Sequence, residues 1–434
     1  MNRLALAVFI ILCMVKSSST TFAQAKHTKW FEELLGKVDN ENFQQVLSHP
    51  DSFRVQIIYT QIDRDKNNNP HFTDHYFNVN DQVYFNPAST VKFPLAVLSL
   101  EKINRLKAHG VNKDTRIEFD SAYSKQTHMH KDATAENGSP SVAHFIKKAL
   151  LVSDNDAYNR MYEFLGQQEI NRSLHERGYH NVRIMHRFVP MTIEENRYTN
   201  PVKFPDKNGK LLYEQPMQYN PDSFDHSRNE KLGNAYMDAH DQLVNGPFDF
   251  SKKNRIALEE LHHILRTVMF PESVPERQRF NLTEEDYTFL YRYLSQYPRE
   301  TNYPKYDGDK FYDSFVKFFF RDSTHKTLPP GVRVFNKTGW AYGFLTDNSY
   351  VVDQEQNIEY LLSATIYVNS DGIINDGKYD YENVGHPFLY ELGKLIYEYE
   401  LKRHRKFIPD LNRFKISYES RIEDDRPTIK EVDN

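Results

Sequence analysis

A hydroxyl and an amine three residues apart can carry acyl-transfer chemistry. Ser89 and Lys92 stand so in the stretch 84–98, Y-F-N-P-A-S-T-V-K-F-P-L-A-V-L. Asn86-Pro87 signals a turn, and an apolar run follows. A helix starting near Ser89 puts both side chains on one face, one turn apart. Val91, Phe93, Leu95, Ala96, Val97 and Leu98 make that helix apolar nearly all round, which predicts burial. A serine alkoxide forms only beside a base, and an amine serves if desolvation or nearby positive charge lowers its pKa. The helix N-terminus adds free N–H groups and a positive dipole end for a developing oxyanion. The spacing alone is not distinctive, because it recurs at Ser99/Lys102, Ser314/Lys317 and Ser323/Lys326.

Two later motifs set Ser89 apart. Ser153-Asp154-Asn155 lies between two helix-period segments, 141–152 and 156–165, with Gly166 ending the second. Taken alone it reads as an N-cap and turn. Lys337-Thr338-Gly339 follows Val332, Val334 and Phe335 on a strand, within G-V-R-V-F-N-K-T-G-W-A-Y-G-F.

The elements that must position these groups are legible in outline. Residues 30–47 predict one or two amphipathic helices with a break near Asp39-Asn40. Residues 53–62 alternate as a strand, 63–70 turn, and a returning strand begins at His75. Strands at 332–335, 348–353 and 359–368 predict an antiparallel meander, and 388–401 a closing helix. Helices are expected at 256–270 and 282–294, the second capped by Thr283 with Asp286 at N3. Residues 200–247 read as an insertion with little regular structure, a binding surface or lid. Residues 303–326 read as a second, aromatic and charged insertion.

Composition bounds the function. The chain has 434 residues, 26 % of them charged, with a formal net charge of −5, which speaks against a nucleic-acid binder. Met1-Asn2-Arg3, an apolar run over 4–15 and Ala23-Gln24-Ala25 read as a secretory signal peptide cleaved after Ala25. The run is too short to span a bilayer, so no stable membrane insertion is expected. The only cysteine, Cys13, falls inside this segment, which removes disulfides and thiol chemistry from the mature chain. A periplasmic or secreted location follows. Asp63, Asp65 and Asn67 read as a hairpin turn rather than a calcium loop. His128, His130 and Asp132 find no further ligand cluster, and the adjacent His262 and His263 point apart on a helix. Neither metal nor cofactor is expected. The tail from Lys402 is charged, and its last dozen residues are expected to be disordered.

Ser89-Thr90-Val91-Lys92, Ser153-Asp154-Asn155 and Lys337-Thr338-Gly339, in that order, resemble the serine β-lactamases and penicillin-binding proteins, most nearly the class A β-lactamases. The resemblance implies an α/β (α+β) fold. An antiparallel sheet from the early hairpin and late meander is flanked by helices, and a mostly helical lobe completes it. One hydrolase domain over 26–405, with insertions near 200–250 and 300–326, would precede a tail at 406–434. By resemblance Ser89 is the acylated nucleophile and Lys92 its base or proton relay. Ser153 passes a proton to the departing nitrogen, and Asn155 holds the substrate's amide side chain. Lys337 keeps the potential positive, depresses the pKa of Lys92 and attracts a substrate carboxylate, which Thr338 bonds. Gly339 and Trp340 complete the substrate-binding strand, and the N–H groups of Ser89 and Trp340 form the oxyanion hole.

The resemblance also shows a departure. Class A enzymes carry a glutamate for deacylation in a W/F-E-P-like stretch, and here Phe188-Val189-Pro190 puts Val189 in its place. Glu194 or Glu195 are the acids that could reach in. Arg333 is the weak candidate for a carboxylate-binding arginine. The expected substrate is a β-lactam or related cell-wall amide, acted on by a monomer. The alternatives are a D-Ala-D-Ala carboxypeptidase, another amidase or esterase, or a catalytically idle cell-wall-binding module.

Overall fold

The computed structural model describes residues 24–432 except 322, 323 and 325. Apart from Gln24 and Ala25, the expected leader lies outside the described residues, Cys13 with it. The first two helices, α1 (Lys29–Leu35) and α2 (Glu41–Ser48), part where the sequence predicts. Asn40 causes the break: its side chain accepts the Phe43 N–H at 3.1 Å and caps α2. Strands β1 (Gln56–Arg64) and β2 (Pro70–Phe77) form the early hairpin. In its turn Asp65 accepts the N–H groups of Asn67 and Asn69 at 2.8 and 2.9 Å, so its carboxylate shapes the backbone.

The late meander comprises β3 (Val332–Ala341), β4 (Phe344–Asp353) and β5 (Ile358–Tyr367). All five strands join one sheet in the order β3-β4-β5-β1-β2. Its pairs are antiparallel, with Thr338 opposite Asp347 and Ile58 opposite Ser363. Every residue of β4 is buried, which requires cover on both faces. One face packs on Phe31, Phe43, Phe388 and Leu392, from α1, α2 and the last helix, α10 (His386–Lys402). The other meets the helical lobe: α3 (Lys92–Leu106), α4 (Val142–Leu151), α5 (Asn155–Leu165), α6 (Gln167–Glu176), α7 (Ile193–Arg197), α8 (Leu258–Met269) and α9 (Glu284–Ser295). Every residue of α3 from Lys92 to Ile103 is buried, as its all-round apolar sequence demands. Thr283 caps α9 in a reciprocal box with Asp286, also as predicted.

Two expectations are corrected. Residues 200–247 are not irregular: Val202–Pro205 pairs with Leu211–Gln215, and Ala235–Met237 with Leu243–Asn245. Strands this short complete too few alternations to register as a period. Residues 303–326, read as a second insertion, pack into the core through Tyr306, Phe311 and Phe318–Phe320. The tail also docks rather than straying. Leu411 and Phe414 are buried, the Phe414 ring packs on Tyr350 at 4.8 Å, and Ile429 exchanges backbone hydrogen bonds with Lys305 and Asp307. A few apolar anchors hold a segment whose composition is mostly charged. Among the described residues no helix is long and apolar enough to cross a membrane.

Candidate active site

The head of α3 is a single tight turn, Ala88–Val91, that carries Ser89. Asn86 Oδ1 accepts the Ala88 N–H at 2.8 Å, and the Thr90 hydroxyl donates to the Pro87 carbonyl at 2.7 Å. These local bonds hold Ala88 at a positive φ of 43°. Ser89 is 8 % exposed and opens on a cavity of about 670 Å³. Lys92, one turn on, is fully buried. Its ammonium donates to the Ser153 carbonyl, to Ser153 Oγ at 3.2 Å and to Asn155 Oδ1 at 2.7 Å.

Ser153 joins α4 to α5 with φ at 65°, a strained value for a non-glycine residue. Its neighbour Asp154 caps α5 by accepting the Ala157 N–H at 2.8 Å. The capping reading of this motif is therefore correct, but it applies to Asp154, which frees Ser153 and Asn155 to face Lys92. From β3, Lys337 donates to the same Ser153 Oγ at 3.0 Å and to the Thr338 carbonyl at 2.7 Å. Two amines from distant segments thus share one hydroxyl. Burial, and then the charge of Lys92, push the Lys337 pKa well below its usual value; Asp347 opposes that shift.

Gly339 explains how the strand reaches the helix head. A Cβ there would lie 2.6 Å from the Pro87 carbonyl oxygen and 2.9 Å from Ser89 N. Only glycine lets β3 run this close to the backbone amide of Ser89. The Thr338 hydroxyl beside it is buried without a hydrogen-bond partner among the described residues, while Trp340 lines the cavity. Seven predicted residues therefore surround one space: Ser89, Asn155 and Trp340 line it, and Lys92, Ser153, Lys337 and Thr338 lie beneath it.

The remaining candidates are placed elsewhere. Glu195 accepts the Thr192 N–H at 2.7 Å in the capping box of α7 and the Ser124 hydroxyl at 2.9 Å. Glu194 faces solvent beside Arg197. Neither lines the cavity, so the structure does not support either as a base there. Arg333 forks onto Glu300 at 2.9 and 2.8 Å between the rings of Tyr297 and Tyr418, which excludes it as the carboxylate binder. Val189 sits at the cavity rim, 38 % exposed. No group of three or more metal-ligating side chains occurs among the described residues.

Residues 41–222 match the model of the β-lactamase enzyme family. The match takes in Ser89, Lys92, Ser153 and Asn155 and stops short of Lys337, which geometry alone brings to Ser153. Over these residues the chain is similar to that family. Among solved structures, the chain is similar to the β-lactamase of Sphaerobacter thermophilus, with 12 % identity, a TM-score of 0.44, and cover of 83 % of this chain and 96 % of that one. The β-lactamase of Burkholderia phymatum gives 11 %, 0.45, 82 % and 97 %, and an ancestral class A β-lactamase 14 %, 0.43, 82 % and 99 %. No relative was found among the curated proteins.

The β-lactamase-like site also has supports that the sequence did not reveal. Lys317, read as a chance repeat of the Ser-x-x-Lys spacing, is fully buried and donates to Asn336 Oδ1 at 2.6 Å and to the carbonyls of Leu294 and Val334. Asn336 in turn donates to Asp347 Oδ1 at 2.8 Å. Burial lowers the Lys317 pKa to about 7 and raises that of Asp347 to about 6. This network underlies β3 next to Lys337. Its only sequence signal is a lysine and an aspartate within apolar stretches.

Proposed function

We propose that the protein is an exported serine hydrolase that opens a β-lactam or a related cell-wall amide through an acyl-Ser89 intermediate. The observation that carries this reading is the double approach of Lys92 and Lys337 to Ser153 Oγ, at 3.2 and 3.0 Å, beneath a cavity onto which Ser89 opens. In this reading Lys92 reacts as the neutral amine: its lone pair takes the Ser89 proton as the hydroxyl attacks the amide carbonyl, and the ammonium so formed passes a proton on to Ser153. The oxyanion meets the N–H groups of Ser89 and Trp340, which the close approach of β3 at Gly339 supports. Ser153, charged with a proton through its two amines, passes it to the departing nitrogen. The free Thr338 hydroxyl takes the substrate carboxylate. The leader over 1–25 supports the export and a periplasmic or secreted site.

One observation favours a particular variant of this reading. Val189 occupies the place of a deacylating acid, and Glu194 and Glu195 point elsewhere. The acyl-enzyme then forms readily and is released slowly, as in the transpeptidase branch of the superfamily. The test is intact-mass spectrometry of the mature protein with benzylpenicillin over time, beside Ser89→Ala. A stoichiometric adduct that decays slowly, and is absent from the variant, is expected. No mass change in the wild type at any pH tried sinks the proposal.

A further inference from the structure

We propose that Lys253 is an anion-recognising group at the acyl end of the cavity, and that the preferred substrate carries a carboxylate on its acyl side chain. This deepens the acyl-serine reading and rests on it. The residue comes from the last loop before α8, and that loop is fixed to the cavity wall. Asn254 Oδ1 accepts the N–H of Met185 at 2.8 Å and of His186 at 3.3 Å, and the Tyr84 hydroxyl donates to the Asn254 carbonyl at 3.2 Å. Arg183 and Arg255 both pair with the buried Glu230 behind it. A cation set on such a support is positioned rather than adrift.

The Lys253 ammonium lies 5.7 Å from the ring centroids of both Phe248 and Tyr342, at the cavity lining. Among the described residues it has no carboxylate partner. Asp249, the acid of the same loop, is committed to the Ser251 N–H at 2.9 Å and faces Lys231 and Lys252. An aromatic cradle holds a cation only modestly, by about 0.5–1 kcal/mol where water reaches it. A carboxylate arriving from a ligand is a stronger partner.

The direction along β3 says which half of the substrate this is. With a substrate carboxylate at Thr338 and its carbonyl at Trp340, the acyl side chain must run on toward Tyr342. At about 3.3 Å per residue, the end of β3 at Ala341 lies about 10 Å beyond Thr338, and Tyr342 turns off it at a φ of 54°, within reach of an acyl side chain that carries an aryl group and a carboxylate. Phe188 and Phe248 offer the apolar surface for the aryl part. His186, also on this wall, cannot bind the anion. Its Nδ1–H donates to the Arg187 carbonyl at 2.8 Å, so Nε2 presents only a lone pair, and burial with the nearby Lys253 charge keeps the ring neutral. Lys252 also lines this end, but it is exposed and faces Asp249, so Lys253 is the half-buried cation set against the rings.

The matched probes are benzylpenicillin and carbenicillin, which differ by one carboxylate on the acyl side chain. Acylation rates by intact mass should favour carbenicillin by about tenfold in the wild type, the worth of one charge-assisted hydrogen bond. Lys253→Gln should bring the ratio of the two rates toward one, Lys253→Glu should invert it, and Lys253→Arg should keep it. The ratio is internal to each variant, so a general loss of activity does not mimic the effect. Adducts with both probes at a ratio that Lys253→Gln leaves unmoved would overturn the subsite and spare the acyl-serine reading. No wild-type adduct with either probe would overturn both.

Discussion

The floor of the cavity and the wall that faces it are held with equal care but are equipped differently. On the floor, Lys92, Ser153, Asn155 and Lys337 come from three distant segments and join through bonds of 2.7–3.2 Å. On the wall, Asn196 Oδ1 accepts the Arg187 N–H at 2.9 Å and Asn159 Oδ1 the Phe188 N–H at 2.7 Å. The buried Arg187 guanidinium ties Glu163 to the carbonyls of Glu195 and Tyr198. Yet what the wall turns toward the rim is Val189, with Phe188 stacked 4.3 Å from Tyr158 behind it. On the proposed acyl-serine reading, making and breaking the acyl bond are separable in space: proton relay would belong to the floor, and water activation would depend on a group that the wall lacks.

The largest expected effect removes both sides together. Burial holds His144 and His186 down to about 4, and His262 and His386 down to about 3. Unfolded, each would take its proton near pH 6.5. Between those values the unfolded chain binds more protons than the folded one, so stability falls as pH falls from about 6.5 toward 3–4. Each imidazole held at about 4 forfeits about 3 kcal/mol by the time it is charged. Glu260 and Asp347, raised by burial to about 7 and about 6, work in the opposite sense, because the fold binds their protons more tightly. Burial also lowers His75 and His263 and raises Asp156, Glu163 and Glu400; the four imidazoles are displaced furthest, and the urea midpoint should drop from pH 6.5 to 4. A midpoint that is flat across that range would mean the imidazoles charge within the fold.

Next in size is a change confined to the floor. Gly339→Ala puts a methyl 2.6 Å from the Pro87 carbonyl oxygen and 2.9 Å from Ser89 N, both backbone atoms. The strand must retreat, and with it one oxyanion donor. The acylation rate should fall by about 10²–10³, as for the loss of such a donor, with the melting temperature much less affected. Acylation at the wild-type rate would show that β3 and the head of α3 need not lie this close.

How much of this was legible follows the same division. The floor could be read because its groups sit in short motifs on strongly patterned elements: an apolar helix, a capped helix and an alternating strand. The sheet was legible for that reason too, since each strand is long enough to show its period. The wall could not be read, because its residues are placed by asparagines such as Asn159, Asn196 and Asn254 reaching across the fold, and amide-to-backbone bonds leave no period in the sequence. Glu195 looked available and is occupied by a cap; Lys317 looked incidental and underlies β3 next to Lys337. The docked tail was hidden by the same logic, since Leu411 and Phe414 suffice to anchor a charged segment.

The smallest effect is the sharpest test of the wall. If release of the acyl group is slow because Val189 stands where an acid is needed, Val189→Glu should hasten it. The gain should be about tenfold, well short of the 10²–10⁴ of a fully positioned general base, because Phe188 and Met191 were not arranged around a carboxylate. Glu195→Gln supplies the contrast. Its carboxylate serves the Thr192 N–H and the Ser124 hydroxyl outside the cavity, so the decay of the adduct should stay within about twofold of wild type. Decay of the penicilloyl adduct followed by mass reads both. A slower decay in Glu195→Gln, with no gain in Val189→Glu, would move the deacylating function to α7 and end the division between floor and wall.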